Sequence, residues 1–269
     1  MISSFVHGGS RVVYESMGEG SPVLLMHGLA ADRNQVLALF GGVEGFQWIC
    51  PDLPAHGDSS FSACGFADYA AVGLSLLNHL GVRRAVIGGI SMGSAIALRM
   101  AQEAPDRIKA LLLIRPAWLD GPALPHLGIM ARIGDWLAGG VQTAAQLLHE
   151  DGEFAAILRD NPAAARSIEA ALHRPQAVSA ADVLSLLVQD RPFSNRQKLV
   201  SVGCPALVVG NLHDPLHPFD IAQTLADSLP NGRLSLQPPR YLEPEAHMTG
   251  LRLEVATFLD TLTRELPTC

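Results

Sequence analysis

Lysine is scarce in this 269-residue chain: Lys109 and Lys198 are the only two, and arginine supplies the remaining positive charge without forming a dense block. With 19 basic against 26 acidic residues the formal net charge is -7, which removes any electrostatic basis for binding nucleic acid or an anionic membrane. Cysteine is sparse as well. Cys50, Cys64, Cys204 and Cys269 are scattered, with no C-x-x-C pair and no metal-ligand spacing. Cys50 and Cys204 adjoin apolar runs, the setting of inert buried thiols, whereas Cys269 has no such run around it and could be reactive. No stretch approaches about 18 consecutive apolar residues, and Met1 to Gly9 lacks the charged head and apolar run of a signal peptide. There is no Gly-rich phosphate loop and no tight His/Asp/Cys set, so neither a nucleotide cofactor nor a metal is expected. What remains is a small-molecule partner for a soluble protein expected in the cytoplasm. Composition does not choose between a monomer and a homodimer.

Apolar residues make up 48% of the chain and charged residues 17%, the balance of a compact globular protein. The length admits one domain carrying an insertion, or two smaller domains. Short apolar runs alternate with helical patterns, which predicts βαβ units and a mostly parallel sheet. Strands are expected at 11–15, 22–26, 46–50, 84–88 and 109–114, with helices at 32–40, stopped by Gly41-Gly42, and at 66–80, stopped by Gly81. From about Trp118 to Phe193 no strand pattern appears, and alanine- and leucine-rich helices take over. That stretch is too long for a loop and reads as an inserted helical cap. Strand character returns at 205–209, followed by a helix from about 219 to 229, a strand at 233–237 and a closing helix after His247. The expected organisation is therefore a core of residues 1–117 and 196–269 with a cap of residues 118–195.

Gly89-Ile90-Ser91-Met92-Gly93 lies between the apolar run Ala85-Val86-Ile87 and the helical run that starts at Ala95. Strand, sharp turn and helix, with small residues on both flanks, would lift the serine hydroxyl clear of the sheet with a helix N-terminus behind it. A serine in that position is either an activated nucleophile or an ordinary helix N-cap. As a nucleophile it needs a base within reach and a third group to orient that base.

Four segments carry a resemblance: Met26-His27-Gly28-Leu29-Ala30, Pro51 to Ser59, the turn at Ser91, and the order Ser91, Asp214, His247. In these the chain resembles the α/β-hydrolase superfamily over essentially its whole length, nearest its small capped esterases, enol-lactonases and carbon–carbon bond hydrolases. The resemblance implies an α/β-hydrolase fold: a mostly parallel sheet flanked by helices, with an all-helical cap. It implies Ser91 as nucleophile, His247 as base and Asp214 as acid, with the backbone N–H groups of Leu29 and Met92 forming the oxyanion hole.

Each role has a competitor in the sequence. Asp214 precedes Pro215, a common turn pair, and Asp120 is the rival acid. His27 and His56 are candidates for shaping loops, with His27 also a candidate substrate contact. His213 and His217 are structural neighbours of the acid loop or part of the pocket lining. Asp52 and Asp58 organise the loop they belong to. Arg115 and Trp118 follow the strand ending at Ile114, where open α/β sheets bind ligands. Arg115 would hold a substrate carboxylate or pair with a loop carboxylate such as Asp120, and Trp118 is pocket wall or cap packing.

Serine at position 91 argues against the relatives that carry aspartate there, the epoxide hydrolases and haloalkane dehalogenases. The expected activity is hydrolysis of a carboxylic ester or lactone of a small, largely apolar substrate through an acyl-enzyme. Carbon–carbon hydrolysis of a diketone, acyl transfer, and non-catalytic ligand binding on the same scaffold stay open.

Overall fold

The computed structural model describes residues 1–40, 43–60, 65–121 and 124–264. The Gly41-Gly42 stop, Cys64 and Cys269 lie outside the described residues. Eight strands form one sheet: β1 (Ile2–His7), β2 (Ser10–Met17), β3 (Ser21–Met26), β4 (Phe46–Pro51), β5 (Ala85–Ile90), β6 (Ile108–Ile114), β7 (Ala206–Asn211) and β8 (Gly232–Gln237). Their order is β1-β2-β4-β3-β5-β6-β7-β8. β1 and β2 pair antiparallel, β2 and β4 likewise, and every pair from β4 to β8 is parallel.

The central strands read as unbroken apolar runs because helices cover both faces of the sheet. Alternate side chains go to opposite sides. Leu24, Met26, Ile87, Leu111, Leu113 and Val208 belong to one buried cluster with helices α2 (Phe66–His79), α3 (Met92–Glu103) and α9 (Phe219–Ser228). Val23, Leu25, Val86, Leu112, Ile114, Leu207 and Val209 belong to the other, with α1 (Arg33–Phe40) and α10 (Pro244–Arg264). None of the helices among the described residues is long and apolar enough to cross a membrane.

Between β6 and β7 the described chain is helical: α4 (Gly128–Leu137), α5 (Val141–Glu150), α6 (Gly152–Asp160), α7 (Pro162–Glu169) and α8 (Asp182–Gln189), with short 3-10 turns between them. Several contacts tie this insertion to the sheet side, among them those of Trp118, Arg174 and Gln176. Trp118 Nε1 donates to Leu187 O at 2.9 Å, and its ring meets Phe66 edge-on at 5.4 Å. Arg174 donates to Ala55 O at 3.2 Å, and Gln176 Nε2 to Gly57 O at 3.1 Å.

Two features differ from the sequence-based expectation. β1 was not expected; it joins β2 through Gly8 and Gly9, with φ of 57° and 80°, a tight turn that only glycine adopts without strain. The closing helix starts at Pro244, before His247 rather than after it. Proline at a first helical position has no N–H to leave unpaired, and Glu245 in the first turn suits the positive helix end. Lys109 is the second residue of β6, at the amino end of that strand, and Lys198 lies in the 3-10 turn preceding β7.

Candidate active site

The loops after the parallel strands converge at the carboxyl end of the sheet, beginning with Ser91 at the end of β5. Its φ and ψ are 54° and -109°, a conformation that costs a non-glycine residue about 1–3 kcal/mol. The surroundings enforce it. Ser91 N donates to Ile114 O at 2.9 Å, and Ser94 Oγ donates to Gly89 O at 2.7 Å and Ile114 O at 3.1 Å. Helix α3 lies so close to β3 that a Cβ on Gly93 would stand 2.2 Å from Met26 O, and one on Gly89 would stand 2.5 Å from the same atom. Gly93→Ala is therefore expected to lower unfolding stability by about 3 kcal/mol or more, since the obstacle is backbone and cannot rotate away. Urea denaturation against Gly203→Ala, where the added Cβ meets nothing within 4 Å, is the check. Equal midpoints would show that the elbow does not depend on this close approach.

Opposite Ser91, the loop after β3 is held by side chains. His27 is fully buried; its Nδ1–H donates to Gly28 O at 2.8 Å while Nε2 accepts from Leu53 N at 3.0 Å. Both ring nitrogens are thus used, and His27 acts as a loop latch away from the cavity. His56 Nε2 accepts from Ala30 N at 3.3 Å, holding Ala30 at its φ of 62°. Burial lowers the pKa of both imidazoles, so they are neutral latches. Gln35 Oε1 accepts from Gly28 N at 2.8 Å. Among the described residues, the N–H groups of Leu29 and Met92 find no protein acceptor. Asp52 and Asp58 organise the next loop: both pair with Arg33, and Asp52 also accepts from Asp58 N at 2.9 Å.

Asp214 lies in the loop after β7. Its Oδ1 accepts from Leu216 N at 3.1 Å and from His217 Nδ1 at 2.9 Å, and Oδ2 is buried without a hydrogen-bond partner. Burial would raise this carboxyl group, but His217, then Arg115 and Arg240, hold it at about 2. His217 is shifted down, chiefly by burial and against the pull of Asp214, so it is neutral at pH 7. With the proton on Nδ1, its Nε2 is a free acceptor.

His247 is arranged differently from the expectation that Asp214 orients it. It sits within the first turn of α10, and its Nδ1 donates to Pro238 O at 2.8 Å. Asp120 accepts from Arg196 N at 2.9 Å and neither pairs with Arg115 nor bonds an imidazole. The carboxylate beside Arg115 is Asp214, at 4.0 Å.

A cavity of about 220 Å³ joins these parts, lined by Leu29, Ser91, Arg115, Trp118, His217, Arg240 and Tyr241 together with Leu127, Met130 and Ala171 of the insertion. His27 and His247 do not line it. A wider cleft of about 540 Å³ on the far side of the acid loop touches Asp214 but not Ser91. Sequence reasoning left His217 between two roles and missed Arg240 and Tyr241. The available signal for His217 was its position three residues beyond Asp214 across a proline turn; Arg240 and Tyr241 had none, because only the path of the chain after β8 brings them in.

Comparison with known proteins bears on the fold and the family. A solved thermophilic esterase from Thermogutta terrifontis superposes with a TM-score of 0.75 at 24% identity, over 97% of each chain. In sequence, a putative non-heme haloperoxidase of Mycobacterium phage D29 is 26% identical over 81% of this chain and 80% of its own. The pimeloyl-[acyl-carrier protein] methyl ester esterase of Chromobacterium violaceum is 29% identical over 82% and 86% respectively. Some other relatives match over only 30% to 39% of their own length. A family profile of the alpha/beta hydrolase fold matches residues 21–154, the span that contains the β3 loop and the Ser91 elbow. On the sheet order, the elbow and these matches together, the chain belongs to the α/β-hydrolase superfamily.

Proposed function

We propose that this protein is a serine hydrolase that cleaves a small carboxylic ester or lactone through an acyl-enzyme. The observation that carries the reading is that Ser91, strained at its elbow, lines the same cavity as His217, whose Nδ1 is held by Asp214. A serine hydroxyl becomes a useful nucleophile when a neutral imidazole can take its proton and a fixed carboxylate steadies the resulting cation. His217 supplies a neutral imidazole hydrogen-bonded to a carboxylate on the cavity that Ser91 lines, whereas His247 Nδ1 is hydrogen-bonded to Pro238 O and feels Asp214 only through space.

In this mechanism Ser91 Oγ attacks the substrate carbonyl while its proton passes to His217 Nε2. The Leu29 and Met92 N–H groups, which lack protein acceptors, receive the oxyanion. Collapse of the tetrahedral intermediate expels the alcohol, which takes the proton from His217. A water molecule deprotonated by His217 then attacks the acyl-enzyme, releasing the acid and restoring Ser91. The insertion acts as a cap, placing Trp118, Leu127 and Met130 against the substrate and keeping bulk water from the oxyanion. The esterase named among the sequence relatives supports ester chemistry for this arrangement.

A fluorophosphonate reporter tests the proposal on the wild-type protein. One adduct is expected, on the peptide containing Ser91, with loss of 4-nitrophenyl ester turnover in proportion to labelling. Turnover that persists in fully labelled protein, or labelling elsewhere, would rule out Ser91 as nucleophile.

A further inference from the structure

Arg115 is unusual among the arginines of this chain. It is 4% exposed, stands at φ 47°, and forms part of the wall of the Ser91 cavity. Its Nε and Nη1 are buried with no hydrogen-bond acceptor. Asp214 Oδ2, at 4.0 Å from Nη1, is too far for a hydrogen bond, and the other oxygen of that carboxylate is taken by His217 and Leu216 N. Arg240 adds a second positive charge to the same wall. It lies over the Tyr241 ring at 4.9 Å and donates to Tyr241 Oη at 3.2 Å, and no ion pair joins it to a carboxylate among the described residues.

Charge counting around the cavity gives two guanidinium groups against one carboxylate, since His217 is neutral. Buried cations are normally paired, and buried N–H donors are normally satisfied. Burial and the neighbouring Arg240 bring Arg115 down to about 10, so it stays protonated at neutral pH. A cavity wall of this kind is incomplete without an anion. A planar carboxylate matches a guanidinium better than a spherical ion does, because two parallel N–H groups can meet its two oxygens.

We propose that the cavity holds a substrate carboxylate on Arg115 and Arg240, so that the preferred substrate is an anionic ester or lactone bearing a free carboxylate besides the bond that Ser91 attacks. This narrows the hydrolase reading above and rests on it, and it replaces the largely apolar substrate expected from the sequence. The walls formed by Trp118, Leu127 and Met130 then contact the carbon skeleton between the two functional ends.

The test compares mono-4-nitrophenyl adipate with 4-nitrophenyl hexanoate, which differ in a terminal carboxylate. Wild type is expected to favour the adipate ester in kcat/KM by about 10-fold or more, the equivalent of one charge-assisted hydrogen bond of about 1.5–3 kcal/mol. In Arg115→Gln the ratio is expected to fall to about 1 or below, mainly through KM. Adipate itself should slow phosphonate labelling of wild-type Ser91, and hexanamide should not, a comparison that needs no folded variant. A wild-type preference for the neutral ester, with no protection by adipate, would overturn the anion site while leaving the hydrolase reading intact. If neither ester is turned over, the hydrolase reading fails, and calorimetric binding of adipate to wild type, lost in Arg115→Gln, decides the anion site independently.

Discussion

Ser91→Ala is expected to lower kcat/KM for 4-nitrophenyl esters by about 10³-fold or more while leaving the unfolding midpoint where it is. Removal of a serine nucleophile abolishes the acyl-enzyme route and leaves only what the oxyanion donors contribute. The second half of the prediction separates this role from that of a helix cap. A capping serine, replaced by alanine, costs about 0.5–2 kcal/mol. Ser91 occupies the cap position of α3, but its side chain makes no capping hydrogen bond there. Alanine meets the same strained φ that serine does, so the strain cancels in the comparison. Loss of activity with unchanged stability is the signature of a nucleophile; loss of stability with retained activity would return Ser91 to an ordinary cap.

His217→Ala is expected to lower kcat by about 10³-fold, and His247→Ala by less than about 10-fold. The first removes the imidazole held by Asp214; the second removes a donor to Pro238 O and costs about 1 kcal/mol of stability. The reverse ranking would identify His247 as base and would mean that Asp214 changes partner when substrate is bound. The pH profile provides an independent check on the wild type. Burial lowers the pKa of His217, so protonation, which disables the base, requires a more acidic solution than the ordinary histidine value of about 6.5. The acidic limb of kcat/KM is therefore expected to fall below pH 6.5, with activity retained down to that limb and lost beneath it. A limb at or above pH 6.5 would contradict a buried neutral base.

Much of the framework could be read from residues whose patterns are local. The runs 22–26, 85–90, 110–114 and 206–210 within β3, β5, β6 and β7 are apolar because both faces of the sheet are covered, and α2 repeats its buried positions at helical spacing. β1 escaped because it is an edge strand with Phe5 its only buried side chain, leaving no alternation to detect. The Gly8-Gly9 pair before β2 was the readable sign of a hairpin.

The site was legible where one residue fixes its own setting and illegible where partners come from distant loops. The elbow at Ser91 is a five-residue device, and its close approach to Met26 explains both glycines. Which imidazole reaches Asp214 depends on where helix α10 begins. Pro244 starts that helix early enough to carry His247 into its first turn, where Pro238 O accepts its Nδ1–H. Arg115 was expected near the pocket mouth from its place after a strand, but its lack of a hydrogen-bonded counter-charge depends on Asp214 being turned toward His217.

The rarity of lysine has a practical side. Neither side-chain amine, on Lys109 in β6 or on Lys198 in the 3-10 turn before β7, lines the cavity. Coupling through these amines to an activated support or a label would therefore leave every residue that lines the cavity chemically untouched.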